Sequence, residues 1–202
     1  MKKKFLDYAI TSIRNYNPNY DEVRLAELRY GLEGIYLSVT KLIVIIAIAL
    51  ILGIFKEMIF MLLIFNILRT TGFGLHATKS WICLLSSTSV FIICPILAKI
   101  ITINTIIKVF LSIVSTICVF LYAPADTVKR PLINEKKRNI YKFITTISCI
   151  VLSLTAIVVE NNVISNLMIF GILTEVVMIL PITYKTFHLS YNNYKNYKLI
   201  NG

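Results

Sequence analysis

Six apolar stretches dominate the chain from residue 39 onward, over 39–55, 58–68, 81–101, 103–123, 140–159 and 163–182. A helix needs about 20 mostly apolar residues to cross a hydrocarbon core of about 30 Å, and most of these runs approach that length. The second stops at Arg69 after eleven residues. It must be extended by the polar residues that follow, tilt little, or thin the bilayer locally. Pro95 and Pro181 are expected to kink or end their helices.

Before residue 39 the pattern changes. Phe5, Leu6, Ala9, Ile10 and Ile13 share one helical face, leaving Lys2, Lys3, Lys4, Asp7 and Arg14 for water. Pro18 breaks this helix. Asp21 can cap a second, in which Leu25, Leu28, Leu32, Ile35 and Val39 recur at helical spacing. Such helices suit the headgroup region, with their basic residues near anionic lipid, or packing against the spans. The pattern thus predicts an all-α, polytopic membrane helix bundle of about six spans with a cytosolic amphipathic N-terminal segment. It forms a single integral-membrane domain over 1–202. Residues 1–38 are the N-terminal helices, 39–182 the bundle, and 183–202 a Tyr/Asn/Lys-rich cytosolic tail without a core of its own.

Composition excludes a soluble domain: hydrophobic residues make up 57%, charged residues 15%, and mean hydropathy is +0.77. Soluble domains carry about 25% charged residues. The 21 Lys and Arg against 10 Asp and Glu fix an orientation. With the N-terminus in the cytosol, the inside segments 1–38, 69–80, 124–142 and 183–202 hold 17 of those 21. The outside connections hold one Lys and two Glu. The positive-inside rule therefore places both termini in the cytosol. Lys41, Lys99 and Lys108 lie near span edges and are expected to snorkel. The start, Met1-Lys2-Lys3-Lys4, resembles a signal-peptide n-region, but Asp7 and Arg14 interrupt the apolar stretch and no small-residue cleavage site follows, so retention is expected. No internal repeat of the kind that builds many transporters is evident.

One segment does not suit a passive bundle: Arg69-Thr-Thr-Gly72-Phe73-Gly74-Leu-His76-Ala77-Thr-Lys79-Ser80-Trp81-Ile-Cys83. A polar cluster at membrane depth is a functional-site hypothesis by default. Its chemistry would be a Cys–His pair, in which the imidazole takes the thiol proton and later passes it to a leaving amine. Seven residues apart in an unbroken helix, His76 and Cys83 would lie about 10 Å apart along the axis. That is far beyond a hydrogen bond of about 3 Å. The pair works only if the chain breaks between them, which Gly72 and Gly74 permit. Ser80 suits an N-cap, which puts Cys83 in the first turn of the third span. There, unpaired N–H groups and nearby Lys79 or Arg69 lower a thiol pKa and can hold an oxyanion.

Each of these residues also has a plainer reading. A His and a Cys close together are often packing residues, Arg69 suits a span edge, and two glycines suit a turn. His76 has no partner at metal-ligand spacing, so no metal or other cofactor is expected. Cys94, Cys118 and Cys149 lie deeper in apolar runs and are read as packing, and His188 is given no role.

The pattern Arg-x4-Gly-x-His-Ala-x2-Ser-x2-Cys, here Arg69, Gly74, His76, Ala77, Ser80 and Cys83, resembles the active-site region of the accessory gene regulator protein B (AgrB) family. Tyr122-Ala-Pro-Ala-Asp126, the basic run Lys129-Arg130-Pro131, Glu175 and Pro181 also resemble that family, as does the chain length. The pattern departs at Phe73, where many members carry a second glycine beside Gly74.

The resemblance implies a bacterial cell-membrane cysteine endopeptidase that processes quorum-sensing peptide precursors, with His76 and Cys83 as the catalytic pair. Arg69, Gly74 and Ser80 would support the site or its oxyanion. Lys129, Arg130, Lys136, Lys137 and Arg138 would attract the acidic C-terminal tail of an AgrD-like precursor; those charges also serve orientation and lipid contact. Glu175 would be an intramembrane polar support, although nothing in the sequence selects its partner. Cys83 would attack the carbonyl before the precursor's tail, and an internal Cys or Ser would then displace the thioester to close a thiolactone or lactone ring. The implied partners are the precursor and the lipid bilayer, with a homodimer left open and no nucleic acid. Rival readings are a small permease or channel component, and a membrane scaffold without chemistry.

Overall fold

The computed structural model describes residues 2–75, 80–127 and 132–195. Eight helices are seen among them: α1 (Lys2–Tyr16), α2 (Glu22–Ile51), α3 (Phe55–Gly72), α4 (Ser80–Ile100), α5 (Thr105–Tyr122), α6 (Glu135–Val158), α7 (Asn162–Ile179) and α8 (Pro181–Thr186). Five of them, α2 and α4 to α7, are long and apolar enough to cross a membrane. The expected short span 58–68 is the interior of α3. Its 18 residues include Lys56 and Glu57 at the start and Arg69 near the end, and the helix runs on through the polar residues Thr70 and Thr71.

The chain divides into two compact units, residues 1–48 and 49–202. In the first, α1 lies antiparallel to the start of α2. Lys2 meets Glu33 (2.6 Å), Asp7 meets Arg29 (2.6 Å) and Arg14 meets Glu22 (2.5 Å). Such exposed pairs stabilise little but fix register. Leu6 and Leu25 are buried, and Phe5 packs on Tyr36. Asp21 caps α2 by accepting the Arg24 N–H at 2.8 Å. The boundary expected at 38/39 falls inside α2, which contains no Pro and in which Thr40 turns its hydroxyl back to the Tyr36 carbonyl (2.8 Å).

The second unit is built around α7, which packs against α3, α4, α5 and α6. Its flanking helices are turned inside out relative to a soluble bundle. On α5 the buried residues are Lys108, Ser112, Ser115 and Val119; on α6 they are Thr145, Cys149, Ser153 and Ala156. Ile113, Phe110 and Phe120 of α5, with Phe143, Val151 and Leu154 of α6, point outward. Small and polar residues inside, with large apolar ones outside, are what a lipid surround favours, because packing rather than hydrophobic burial holds the helices together. At Gly171 the backbone of α7 closes on Ile64 and Met61 of α3; an added Cβ would lie 2.8 Å from Ile64 Cγ2.

One end of this unit carries the short turns near 52–54, 101–104 and 159–161. There Asn166 donates to the carbonyls of Ala98 (3.2 Å) and Ile101 (2.6 Å), and Lys99 pairs with Glu57 (3.1 Å). Lys108 is buried, and its Nζ reaches to 3.4 Å from Oδ1 of Asn162, an exposed residue at the start of α7. Pro95 does not end α4, which continues to Ile100. Pro181 does separate two helices, opening α8. The opposite end gathers residues 69–75, 122–127 and 175–195.

Candidate active site

Helix α3 stops where its sequence becomes Gly72-Phe73-Gly74. Phe73 adopts φ 58° and Gly74 φ 95°, both in the left-handed half of conformational space. Glycine takes such angles readily, whereas a side chain makes them costly. Phe73 therefore stands in a glycine-type conformation. Its ring is 5.4 Å from that of Tyr141.

Three sets of hydrogen bonds fix the turn. Gly74 donates its N–H to the Ala125 carbonyl (2.8 Å) and Ala125 donates to the Gly72 carbonyl (2.9 Å), forming a parallel bridge across Phe73. Leu75 donates to the Met178 carbonyl of α7 (2.9 Å). From the other side, Arg69 Nη2 donates to the carbonyls of Gly74 (3.2 Å) and Leu75 (2.6 Å). Arg69 Nη1 faces the fully buried carboxylate of Glu175, 3.7 Å from Oε2. Beside this pair the Thr145 hydroxyl is hydrogen-bonded to that of Thr71 (2.8 Å) and lies 2.7 Å from the Tyr141 carbonyl, which it can donate to.

The chain is thus not one straight helix from residue 69 to 83. It leaves α3 after Gly72, passes through this clamped turn, and resumes as α4 at Ser80. Cys83 lies in the first turn of α4, half-buried. His76 and Lys79 lie outside the described residues, as does the side chain of Ser80. Among the described residues no group of three or more His, Cys, Asp or Glu is placed to hold a metal ion.

The basic residues divide. Lys129 and Arg130 lie outside the described residues. Lys136 and Lys137 are exposed in the first turn of α6, capped by Asn134, whose side chain accepts the Lys137 N–H at 3.1 Å. Cations are unfavourable at that end of a helix dipole, so helix stability does not account for them. Arg138 instead stacks its guanidinium over the Tyr194 ring at 4.0 Å.

That contact belongs to a feature the sequence reading missed. The segment after α8 packs back onto the turn at 125–126, where a tail without a core was expected. Asp126 is buried, and its carboxylate accepts the N–H groups of Asn193 (2.9 Å), Tyr194 (2.8 Å) and Leu132 (3.3 Å). Tyr184, also buried, lies with its hydroxyl 3.1 Å from the Ala125 carbonyl and 3.2 Å from that of Asp126. Burial pushes both nearby phenols up, that of Tyr191 to about 12 and that of Tyr184 further. The only sequence signal was one Asp after Tyr122-Ala-Pro-Ala and an aromatic-rich C-terminus, neither of which names its partner.

Comparison with known proteins places this geometry in context. The family model of accessory gene regulator B matches residues 6–179. The chain is 31% identical over 179 residues to accessory gene regulator protein B of Staphylococcus aureus, covering 89% of this chain and 94% of that one. It is 34% identical over 178 residues to an AgrB-like protein of Listeria innocua (88% and 87%), and 29% identical over 184 residues to one of Clostridium acetobutylicum (91% and 88%). No solved structure matches.

Proposed function

The chain belongs to the accessory gene regulator B family, and on that footing we propose that it is the membrane-embedded cysteine endopeptidase of a quorum-sensing system. Its substrate is a short AgrD-like precursor peptide, which it cleaves before an acidic C-terminal tail. One observation supports the reading: α3 ends at Gly72, and residues 73–75 form a turn clamped from three sides immediately before His76. An unbroken helix would have held the imidazole and the thiol about 10 Å apart along the axis.

His76 takes the proton of the Cys83 thiol, and the thiolate adds to the carbonyl carbon before the tail. The C–N bond breaks as His76 returns the proton to the departing amine, leaving a thioester on Cys83. The N–H groups at the start of α4 face the oxyanion formed on the way. An internal thiol or hydroxyl of the bound peptide then adds to the thioester, expelling the Cys83 thiolate and closing a thiolactone or lactone ring. Thioester exchange conserves most of the acyl energy, so ring closure needs no nucleotide. Water competes for the same acyl group, and a site at the membrane edge restricts its access.

The site end faces the cytosol of a bacterial cell, in keeping with the 17 of 21 Lys and Arg on that side. The exposed Lys136 and Lys137, with Lys129 and Arg130, attract the acidic tail. Co-expression of a tagged precursor with His76→Ala, Cys83→Ala and Cys83→Ser variants tests this reading. Each variant is expected to insert normally and leave the precursor uncleaved. Cleavage by Cys83→Ala would rule the protease out and favour a permease or scaffold.

A further inference from the structure

Glu175 has an environment that membrane packing alone does not justify. It is fully buried in α7, beside the apolar Ile172, Val176 and Ile179, and both carboxylate oxygens lack a hydrogen-bond partner among the described residues. The backbone of α3 closes on it: a Cβ at Gly72 would lie 2.6 Å from Oε1. Among the described residues its one close cation is Arg69, 3.7 Å away through Nη1, an atom that is itself buried and has no hydrogen bond among them. The other terminal nitrogen of Arg69 holds the Gly74 and Leu75 carbonyls. One turn further along α7, Met178 accepts the Leu75 N–H. Residues 175 and 178 therefore grip the same short segment, one through a guanidinium and one directly. The segment they grip is the one that delivers the chain to His76.

From this geometry we propose that Glu175 is a positioning residue for the reaction set out above. Its carboxyl group, 3.7 Å from Nη1, aims the Arg69 guanidinium, which holds the Gly74 and Leu75 carbonyls and so sets the direction in which the chain runs into His76. A neutral residue at 175 leaves a largely buried guanidinium uncompensated, and Arg69 then turns toward headgroups or water and releases the two carbonyls. The proposal rests on the protease reading, but it makes a claim about residue 175 that the reading does not contain.

The test uses the full chain in proteoliposomes with a synthetic precursor. Glu175→Gln is expected to lower kcat on the order of tenfold to a hundredfold, the scale of a small misplacement of a catalytic group, with KM little changed. Glu175→Asp, which keeps the charge but draws it back, is expected to fall between Gln and wild type. Arg69→Gln combined with Glu175→Gln is expected to be no slower than the slower single variant, because both remove one contact; losses that multiply mean independent roles and overturn the proposal. So does a Glu175→Gln protein with wild-type kcat.

A second readout needs no cleavage: the rate at which iodoacetamide alkylates Cys83, followed by peptide mass spectrometry. Glu175→Gln and Glu175→Asp are expected to lower that rate toward the value for His76→Ala. If wild type fails to cleave the precursor, the protease reading falls while this readout still judges Glu175. If Glu175→Gln does not fold, the Asp variant decides. Wild-type alkylation in a Glu175 variant, with His76→Ala slowed, overturns the positioning role.

Discussion

The main-chain N–H of Gly74 donates to the carbonyl of Ala125 at 2.8 Å, joining the turn after α3 to the turn after α5. The same Ala125 carbonyl lies 3.1 Å from the Tyr184 hydroxyl, so the C-terminal segment is tied to the candidate site through one shared oxygen. Several consequences can be measured.

Phe73 occupies a conformation that suits glycine. Replacing it with either Gly or Ala removes the ring contact with Tyr141, but only Gly relieves the backbone. Phe73→Gly is therefore expected to be more stable than Phe73→Ala by about 1 kcal/mol, the reverse of the usual order. Thermal unfolding of both variants in detergent checks this, and Ala equal to or above Gly would contradict it.

Gly74 has no room for a side chain. An added Cβ would collide with the Arg69 guanidinium and sit 2.8 Å from the Met178 carbonyl, at a φ of 95°. Gly74→Ala is expected to abolish precursor cleavage while membrane levels stay near wild type, as read by immunoblot. Gly171→Ala, at the α3–α7 contact and away from the site, is expected to lower stability by about 1–3 kcal/mol. Its residual activity should follow the folded fraction.

Burial raises the Tyr191 phenol to about 12 and Tyr184 further, from an ordinary value of 10.0. A raised folded-state pKa means stability that is complete below pH 10.0 and lost as pH climbs through the folded value. Tyrosinate absorbance during alkaline titration is expected to lack at least two of the eleven tyrosines until pH passes about 12 or the chain unfolds. In Tyr184→Phe the loss of the buried hydroxyl's bonds is expected to cost about 1 kcal/mol. Limited proteolysis after residue 186 should become faster.

The spans were legible because apolar runs of membrane length announce themselves whatever they pack against. The end of α3 at the glycines was legible too, since Gly72 and Gly74 permit a turn there; the break expected between residues 76 and 83 falls on residues 76–79, outside the described ones. What stayed hidden depends on partners far apart in the chain. Nothing near Glu175 in sequence names Arg69, and nothing near Asp126 names Asn193 or Tyr194. The partner of Lys108 was hidden for the same reason, because Asn162 begins another helix. The continuity of α2 through residue 38 escaped notice because a change from amphipathic to uniformly apolar composition leaves the backbone undisturbed.

The proposed docking of an acidic tail has its own signature. Reversing Lys136 and Lys137 to Glu is expected to raise KM for an acidic-tailed precursor, and the difference from wild type should shrink as salt rises. Arg138→Glu should additionally loosen the C-terminal segment, because that guanidinium stacks on Tyr194. A precursor with a neutral tail should be indifferent to the Lys136 and Lys137 changes.

The central claim is that a single sulfur carries the peptide between cleavage and ring closure. Intact-mass and peptide-level mass spectrometry of the reconstituted protein, quenched in acid soon after mixing with a precursor that lacks its internal nucleophile, tests it most directly. The account predicts an adduct on Cys83 with the mass of the precursor minus its C-terminal tail, removed by hydroxylamine and not formed by His76→Ala. Cleavage without any such adduct, or an adduct on Cys94, Cys118 or Cys149, would contradict it.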